Sequence, residues 1–326
     1  MKAGRIKVST REFAVVDIPV PQPQPGEVLI KVRAAGVCLS DVHFLDGTLK
    51  PGYLKSEYVT LGHEVAGVVE SLGNNVSKIE VGDRVIVIAG ERNERGAITT
   101  LGFDYDGGYA EYVVAKAELL VKIPDSLGFD QAAIIPDAVS TPWAAITSTA
   151  GMKSGESAAV FGIGGLGFHA VQLLSILGCR TIAIDPRPEA REKALEIGAS
   201  HAFDPADPGL KEFRGLDAAF DFAGVTPVRK QALSLLGERG RLVIVGIANE
   251  PITIPNDMAF TYMRTQILGH YGSEKFHTEQ LVELVASGKL DLSRSITKQM
   301  PLSDAALALD HLAKKIDNPI RIVLHP

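Results

Sequence analysis

The residues of this chain best able to do chemistry fall into two groups. The first holds Cys38, Ser40, Asp41 and His43, followed at a distance by the pair His63 and Glu64. A thiolate and an imidazole brought together by folding suit zinc, which takes soft sulfur and borderline nitrogen ligands tetrahedrally. One Cys and one His are too few for a closed structural site. They are most of an open catalytic site if a third protein ligand exists. The plain alternative is a small buried thiol and a hydrogen-bonded core histidine, and these residues alone leave both readings open.

The second group is the run Gly162, Ile163, Gly164, Gly165, Leu166, Gly167, with glycines at G-x-G-x-x-G spacing between a strand-like and a helix-like segment. Gly162 permits a tight turn, Gly164 lets backbone approach a pyrophosphate, and Gly167 lets a helix pack on a strand. The helix start then offers unpaired N–H groups and the positive end of its dipole to phosphate. Asp185 follows where the next strand should end, the place for a carboxylate that binds an adenosine ribose. It would repel a 2′-phosphate, so NAD is expected over NADP, with Arg187 and Arg191 near enough to soften the preference.

Two kinds of element must position these groups. Up to about residue 125 the chain reads as short strands and turns. Positions 28–34 alternate Val28, Ile30 and Val32 with Lys31 and Arg33, and 65–69 and 84–88 are β-branched runs bounded by glycines. This period-2 pattern predicts a mostly antiparallel β domain. The charged stretch 91–96, with Glu91, Arg92, Glu94 and Arg95, reads as a solvated loop. From 131 to 149 the apolar residues follow a helical period. Strands at 158–162, 181–185, 218–222 and 242–247 then alternate with helices at 166–177, 188–197 and 228–236. That rhythm predicts a parallel sheet with right-handed crossovers. Helices at 279–286 and 303–314 and strands at 295–298 and 321–324 close the chain.

Composition sets the class. The 326 residues suggest two domains, and 46% hydrophobic with 22% charged residues is the balance of a folded protein. A net charge of −6 argues against a nucleic-acid or membrane-surface role, since each needs a concentrated positive face. Two cysteines exclude a disulfide framework, and with no signal-peptide or membrane-spanning run a cytoplasmic protein is expected. Cys179 reads as a buried apolar residue.

Taken together, these segments resemble the zinc-dependent alcohol dehydrogenases of the medium-chain dehydrogenase/reductase superfamily. The likeness runs from Gly26-Glu27-Val28 through Gly62-His63-Glu64, Gly82-Asp83-Arg84-Val85 and Gly107-Gly108-Tyr109-Ala110-Glu111-Tyr112 to the glycine loop and Arg321-Ile322-Val323-Leu324. The resemblance implies an α/β fold in which residues 1–138 and 271–326 form a GroES-like catalytic domain around a Rossmann domain, 139–270. It implies a cleft in which zinc ligands and nicotinamide meet, and a homodimer or homotetramer. Cys38 and His63 match the first two ligands of the catalytic zinc, Asp41 the acid that orients the histidine, and Glu64 the carboxylate beside the metal. Ser40 and His43 match a proton relay. Thr141 falls where the family contacts the nicotinamide side, Arg321 where it binds a cofactor phosphate, and Val245 and Arg187 stand with Gly162, Gly164, Gly165, Leu166, Gly167 and Asp185 as cofactor-binding residues.

The chain also departs from the family pattern. The third zinc ligand, usually Cys, falls at Asp137, so Asp137 or Glu64 is expected to complete the site. The four-cysteine structural-zinc lobe is absent, which leaves at most one metal per chain. Leu39 stands where many relatives place a basic residue against the cofactor. The implied activity is reversible hydride transfer between NAD and a small-molecule alcohol, with Ala89 near the substrate. The alternatives are a metal-free enone or quinone reductase using NADPH, and a non-enzymatic protein that keeps the nucleotide fold.

Overall fold

The computed structural model describes every residue except Lys55, Glu94 and Asn249. It divides into two units, Met1–Ser140 with Gly272–Pro326, and Thr141–Tyr271.

The first unit is built on a seven-stranded sheet. Its spatial order is Leu120–Lys122, Arg84–Val87, Glu64–Leu72, Glu27–Val37, Arg321–His325 and Ile296–Pro301, with Tyr112–Lys116 also pairing on Glu27–Val37. The expected alternation holds at 30–33 of Glu27–Val37, where Ile30 and Val32 are buried while Lys31 and Arg33 face solvent; Val28, Leu29 and residues 34–37 are all buried. Its pairing with Glu64–Leu72 carries two register shifts, and this long strand also pairs with Tyr112–Lys116 and Arg321–His325. A second, three-stranded sheet pairs Lys2–Lys7 with Glu12–Asp17 and Tyr58–Thr60. Between them lies a core that includes Ile6, Leu61, Val65, Leu101 and Tyr109.

Of the charged stretch expected as a loop, Glu91 and Arg92 lie on a strand, whereas Asn93, Arg95 and Gly96 lie in the turn that follows. Gly90–Arg92 and Ile98–Thr100 pair as an antiparallel hairpin. Asn93 turns the chain by accepting the backbone N–H groups of Arg95 and Ala97 on its side-chain oxygen, both at 3.0 Å. The charges are placed rather than simply solvated, since Glu91 pairs with Lys116 at 2.6 Å. Glu94, part of the same sequence pattern, lies outside the described residues.

The single helix expected over 131–149 is instead four short pieces. An α-helical turn, Phe129–Ile134, widens into a π-turn, Ile135–Val139. Ser140–Ala144 follows as α-helix, and Ala145–Thr149 widens again. Pro136 and Pro142 have no N–H to give the carbonyls four residues back, so the ladder breaks there. The Ser140 N–H reaches back to the carbonyls of Asp137 and Ile135 instead. Such widened turns favour special side-chain placement over regular packing.

The second unit carries a six-stranded, fully parallel sheet ordered His201–Phe203, Arg180–Ile184, Ser157–Phe161, Leu216–Asp221, Leu236–Ile244, Gln266–Gly269. Numbered within this unit the order is 3-2-1-4-5-6, the doubly wound Rossmann arrangement, with its switch point between Ser157–Phe161 and Leu216–Asp221. The fifth strand starts at Leu236 and ends at Ile244, earlier than the expected 242–247, and the helix before it stops at Leu235. The strand Gln266–Gly269 and the short helix Asp257–Tyr262 lie where no element was expected. Their faces carry no buried apolar period, as the exposed Met258 and Tyr262 show. Among the described residues no helix is long and apolar enough to cross a membrane.

Candidate metal centre and nucleotide cradle

Four separate segments of the first unit converge on one point. Cys38 ends the strand Glu27–Val37 and caps the helix Leu39–Asp46. His63 and Glu64 open the neighbouring strand, Asp137 sits in the π-turn, and Arg321 opens the strand on the other side. One ligand atom from each of Cys38, His63, Glu64 and Asp137 lies within 4.8 Å of the others. The Asp137 carboxylate is 3.3 Å from both the Cys38 sulfur and His63 Nε2. Glu64 faces Gly36 across the strand pair, and only glycine fits there, because a Cβ on Gly36 would lie 2.0 Å from the Glu64 carboxylate.

Arg321 is 2% exposed, and its guanidinium lies 2.9 Å from Glu64 and 3.8 Å from Asp137. The sequence reading set this residue against a cofactor phosphate; here the side chain balances buried acid. Two carboxylates and a thiol outnumber that cation, and each group responds. Burial first, then the Asp137 charge, raises the Cys38 thiol. Burial pushes Glu64 up to about 8, with Arg321 opposing and Asp137 adding to it. Burial works against a charged His63 ring, but the Asp41 and Asp137 carboxylates outweigh it and hold its pKa well above 6.5. Glu64 Oε2 is buried with no hydrogen-bond partner among the described residues. One sulfur, one imidazole nitrogen and two carboxylates drawn to a single point are a donor set that fits a divalent cation of the zinc type.

Behind these four side chains stand residues that orient them. Asp41 turns one oxygen toward His63 Nδ1, 3.5 Å away. Its other oxygen accepts the Cys38 N–H at 3.0 Å and the Tyr109 hydroxyl at 2.7 Å. Tyr109 had no individual role in the sequence reading, since it meets Asp41 across 68 residues of chain. Ser40 is half-buried, with its hydroxyl 3.6 Å from the Cys38 sulfur. The His43 ring lies 3.5 Å from Asp46 and is part-exposed, and no contact with Ser40 is seen among the described residues. Leu39 is exposed.

The second unit holds the nucleotide cradle. The turn after Ser157–Phe161 leads into the helix Gly165–Leu177, capped by Gly164. Gly162 has φ +84°, and a Cβ on it would lie 2.9 Å from the Ala223 backbone. A Cβ on Gly167 would lie 1.9 Å from the Gly162 carbonyl, whereas one on Gly164 would meet nothing within 4 Å. Two glycines therefore serve packing, and the third leaves open space in front of the helix start, where an anion is favoured.

Asp185 is buried at the end of Arg180–Ile184, and its oxygens are well supplied with donors. One accepts the Arg187 N–H and Nε, both at 2.9 Å; the other accepts the Ile163 N–H at 2.8 Å and Arg187 Nη2 at 3.0 Å. Burial alone would raise the carboxyl, but the Arg187 and Ile163 donors hold it below its ordinary 3.8. Arg191 donates to the Asp185 carbonyl at 2.8 Å. Thr141 is buried and accepts His270 Nε2 on its carbonyl at 3.0 Å, and the Val245 N–H bonds the Asp221 carbonyl. The sequence reading passed over Asp221 and Arg229, a buried ion pair at 2.9 Å beside the switch point. Asp221 also gathers the N–H groups of Ala223 and Gly224.

Comparison with known proteins agrees with both halves. Residues 24–125 match the alcohol dehydrogenase GroES-like domain, and residues 165–287 match the zinc-binding dehydrogenase domain. An alcohol dehydrogenase of Geobacillus stearothermophilus is 32% identical, with 96% of each chain covered. The chain belongs to the zinc-type alcohol dehydrogenase family of the medium-chain superfamily. Among solved structures, the dehydrogenase is similar to a Sinorhizobium meliloti 1021 protein classed with the zinc-binding dehydrogenases and bound to NADP. That match is 26% identical, covers 100% and 99% of the two chains and has a TM-score of 0.91. It is also similar to the acetophenone reductase of Geotrichum candidum in complex with NAD, 26% identical over 100% and 97%, with a TM-score of 0.88. The protein is an oxidoreductase of the alcohol dehydrogenase type.

Proposed function

We propose that this dehydrogenase transfers hydride reversibly between a small-molecule alcohol and NAD, with one zinc ion held by Cys38, His63 and Asp137 and with Glu64 beside it. The observation that carries the reading is the convergence of one ligand atom from each of those four side chains within 4.8 Å, with Cys38, His63 and Glu64 buried. A zinc ion held there supplies Lewis-acid polarisation of the substrate oxygen. Asp41 fixes the His63 ring, Arg321 offsets part of the acid charge, and Ser40, next to Cys38, takes the alcohol proton toward His43 and solvent. Gly164 and the helix start behind it seat the pyrophosphate.

NAD is favoured over NADP because Asp185 ends the second strand of the cradle, where its charge opposes a 2′-phosphate. The preference is modest, since Arg187 already neutralises that carboxylate and brings a guanidinium to the same place. The reading is tested by metal content on protein purified without added zinc. About one zinc per chain, lost together with NAD-dependent alcohol oxidation in Asp137→Ala, is the expected result. Turnover without metal and indifferent to chelators would overturn it and favour enone or quinone reduction with NADPH.

A further inference from the structure

His63 and Asp41 face each other through two buried atoms, Nδ1 and Oδ1, that have no hydrogen-bond partner among the described residues. How firmly Asp41 can present Oδ1 therefore depends on what holds its other oxygen. Two donors do so, the Cys38 N–H at 3.0 Å and the Tyr109 hydroxyl at 2.7 Å. The first comes from the same helix start as Asp41 and moves with it. The second comes from a distant segment and ties Asp41 to the sheet.

Tyr109 is itself fixed from both sides. Its N–H donates to the Leu61 carbonyl at 2.8 Å, and its carbonyl accepts the Gly4 N–H at 2.6 Å. Its ring packs over Gly62, at φ +96°, where a Cβ would lie 2.3 Å from the ring; no other residue type leaves that space. The hydroxyl is buried and also lies 3.2 Å from the Gly36 carbonyl. Gly36 in turn is the residue over which Glu64 lies. The phenol thus stands where the supports of His63 and Glu64 meet.

From this geometry we infer that Tyr109 is a positioning residue of the metal centre: its hydroxyl holds Asp41 so that His63 keeps Nδ1 protonated and directs the Nε2 lone pair at the ion. The inference rests on the reading of Cys38, His63 and Asp137 as metal ligands. Outer partners of this kind set metal affinity by factors of roughly 10 to 100.

The test is zinc affinity of the full chain, stripped and then titrated in competition with a chromophoric chelator. Tyr109→Phe keeps the ring against Gly62 and removes only the hydroxyl. It is expected to weaken zinc binding on the order of 10-fold, with unchanged NADH affinity and a lower Tm for the metal-free protein, since a buried hydrogen bond to Asp41 is lost. Asp41→Asn approaches the same link from the other side. If Tyr109 acts through Asp41, adding Tyr109→Phe to Asp41→Asn weakens binding no further. Unaltered zinc affinity in Tyr109→Phe overturns the inference, and so do additive losses in the double variant. A wild-type chain that binds no zinc would instead remove the reading on which the inference rests, so the two failures are told apart.

Discussion

Asp185 finds its donors at Arg187 and Ile163, two and 22 residues away, whereas Asp137 meets His63 across 74 residues and Cys38 across 99. The nucleotide cradle is a local object: one turn, one helix start and the end of the next strand, all within a single crossover. The metal pocket exists only when two strand starts, a strand end and a widened helical turn arrive together. One consequence is chemical. The cradle's carboxylate is held below its ordinary pKa by the donors of its own neighbours, while in the pocket burial raises Glu64 to about 8 even with Arg321 beside it. The cradle is complete as the chain folds; the pocket is built to want a cation.

If the two regions are independent in this way, they should fail separately. The largest effect is expected from Asp137→Ala, which removes the acid shared by Cys38 and His63. Turnover should fall by roughly a hundredfold or more, with zinc lost and NADH binding retained by fluorescence titration. Loss of NADH affinity in the same variant would break the comparison.

The cradle offers a contrast within itself. Gly164→Ala should fold with wild-type Tm, because its Cβ meets nothing, yet lose cofactor affinity by about 10-fold as the methyl enters the phosphate approach. Gly167→Ala should instead lose about 1–3 kcal/mol of stability through contact with the Gly162 carbonyl. Metal content should be untouched in both. Equal Tm losses would mean that the open space before Gly164 has no special purpose.

Arg187→Gln sharpens the cofactor question at smaller magnitude. It frees Asp185 for ribose and removes a partner for phosphate, so the NAD/NADP ratio of kcat/KM should rise, by about 10-fold for a single charge-assisted contact. A fall in that ratio would show that Arg187 serves NAD.

The smallest effect concerns acid. Asp185 has its folded pKa below the ordinary 3.8, so its stabilisation is present above that value and is lost as pH falls through the lower, folded one. The stability gap between wild type and Arg187→Gln should be constant near neutrality and close below about pH 3.8. A gap that widened in acid would reverse the sign.

Much of the molecule was legible in the residues. The glycine spacing, the strand-helix rhythm after residue 150 and the alternation in 28–34 depend on contacts within one or two elements, so their periods are visible along the chain. The resemblance carried the reading further, to Cys38, His63 and Asp137. What could not be read was of another kind. Pro136 and Pro142 lie inside a helical period, and the period alone did not show that the ladder would widen around Asp137. The charged run at 91–96 gave no sign that Asn93 would turn it into a hairpin.

By itself, the sequence determined the two-part α/β architecture and the nucleotide cradle, because each rests on local backbone rules that glycine spacing and apolar period express directly. Only the tertiary structure decided that Arg321 sits against Glu64, that Tyr109 holds Asp41, and that Glu64 and Asp137 share one site with Cys38 and His63. Those facts depend on burial and on pairings between distant strands. The energy of a buried charge is set by what surrounds it in space, which no neighbour in the chain records.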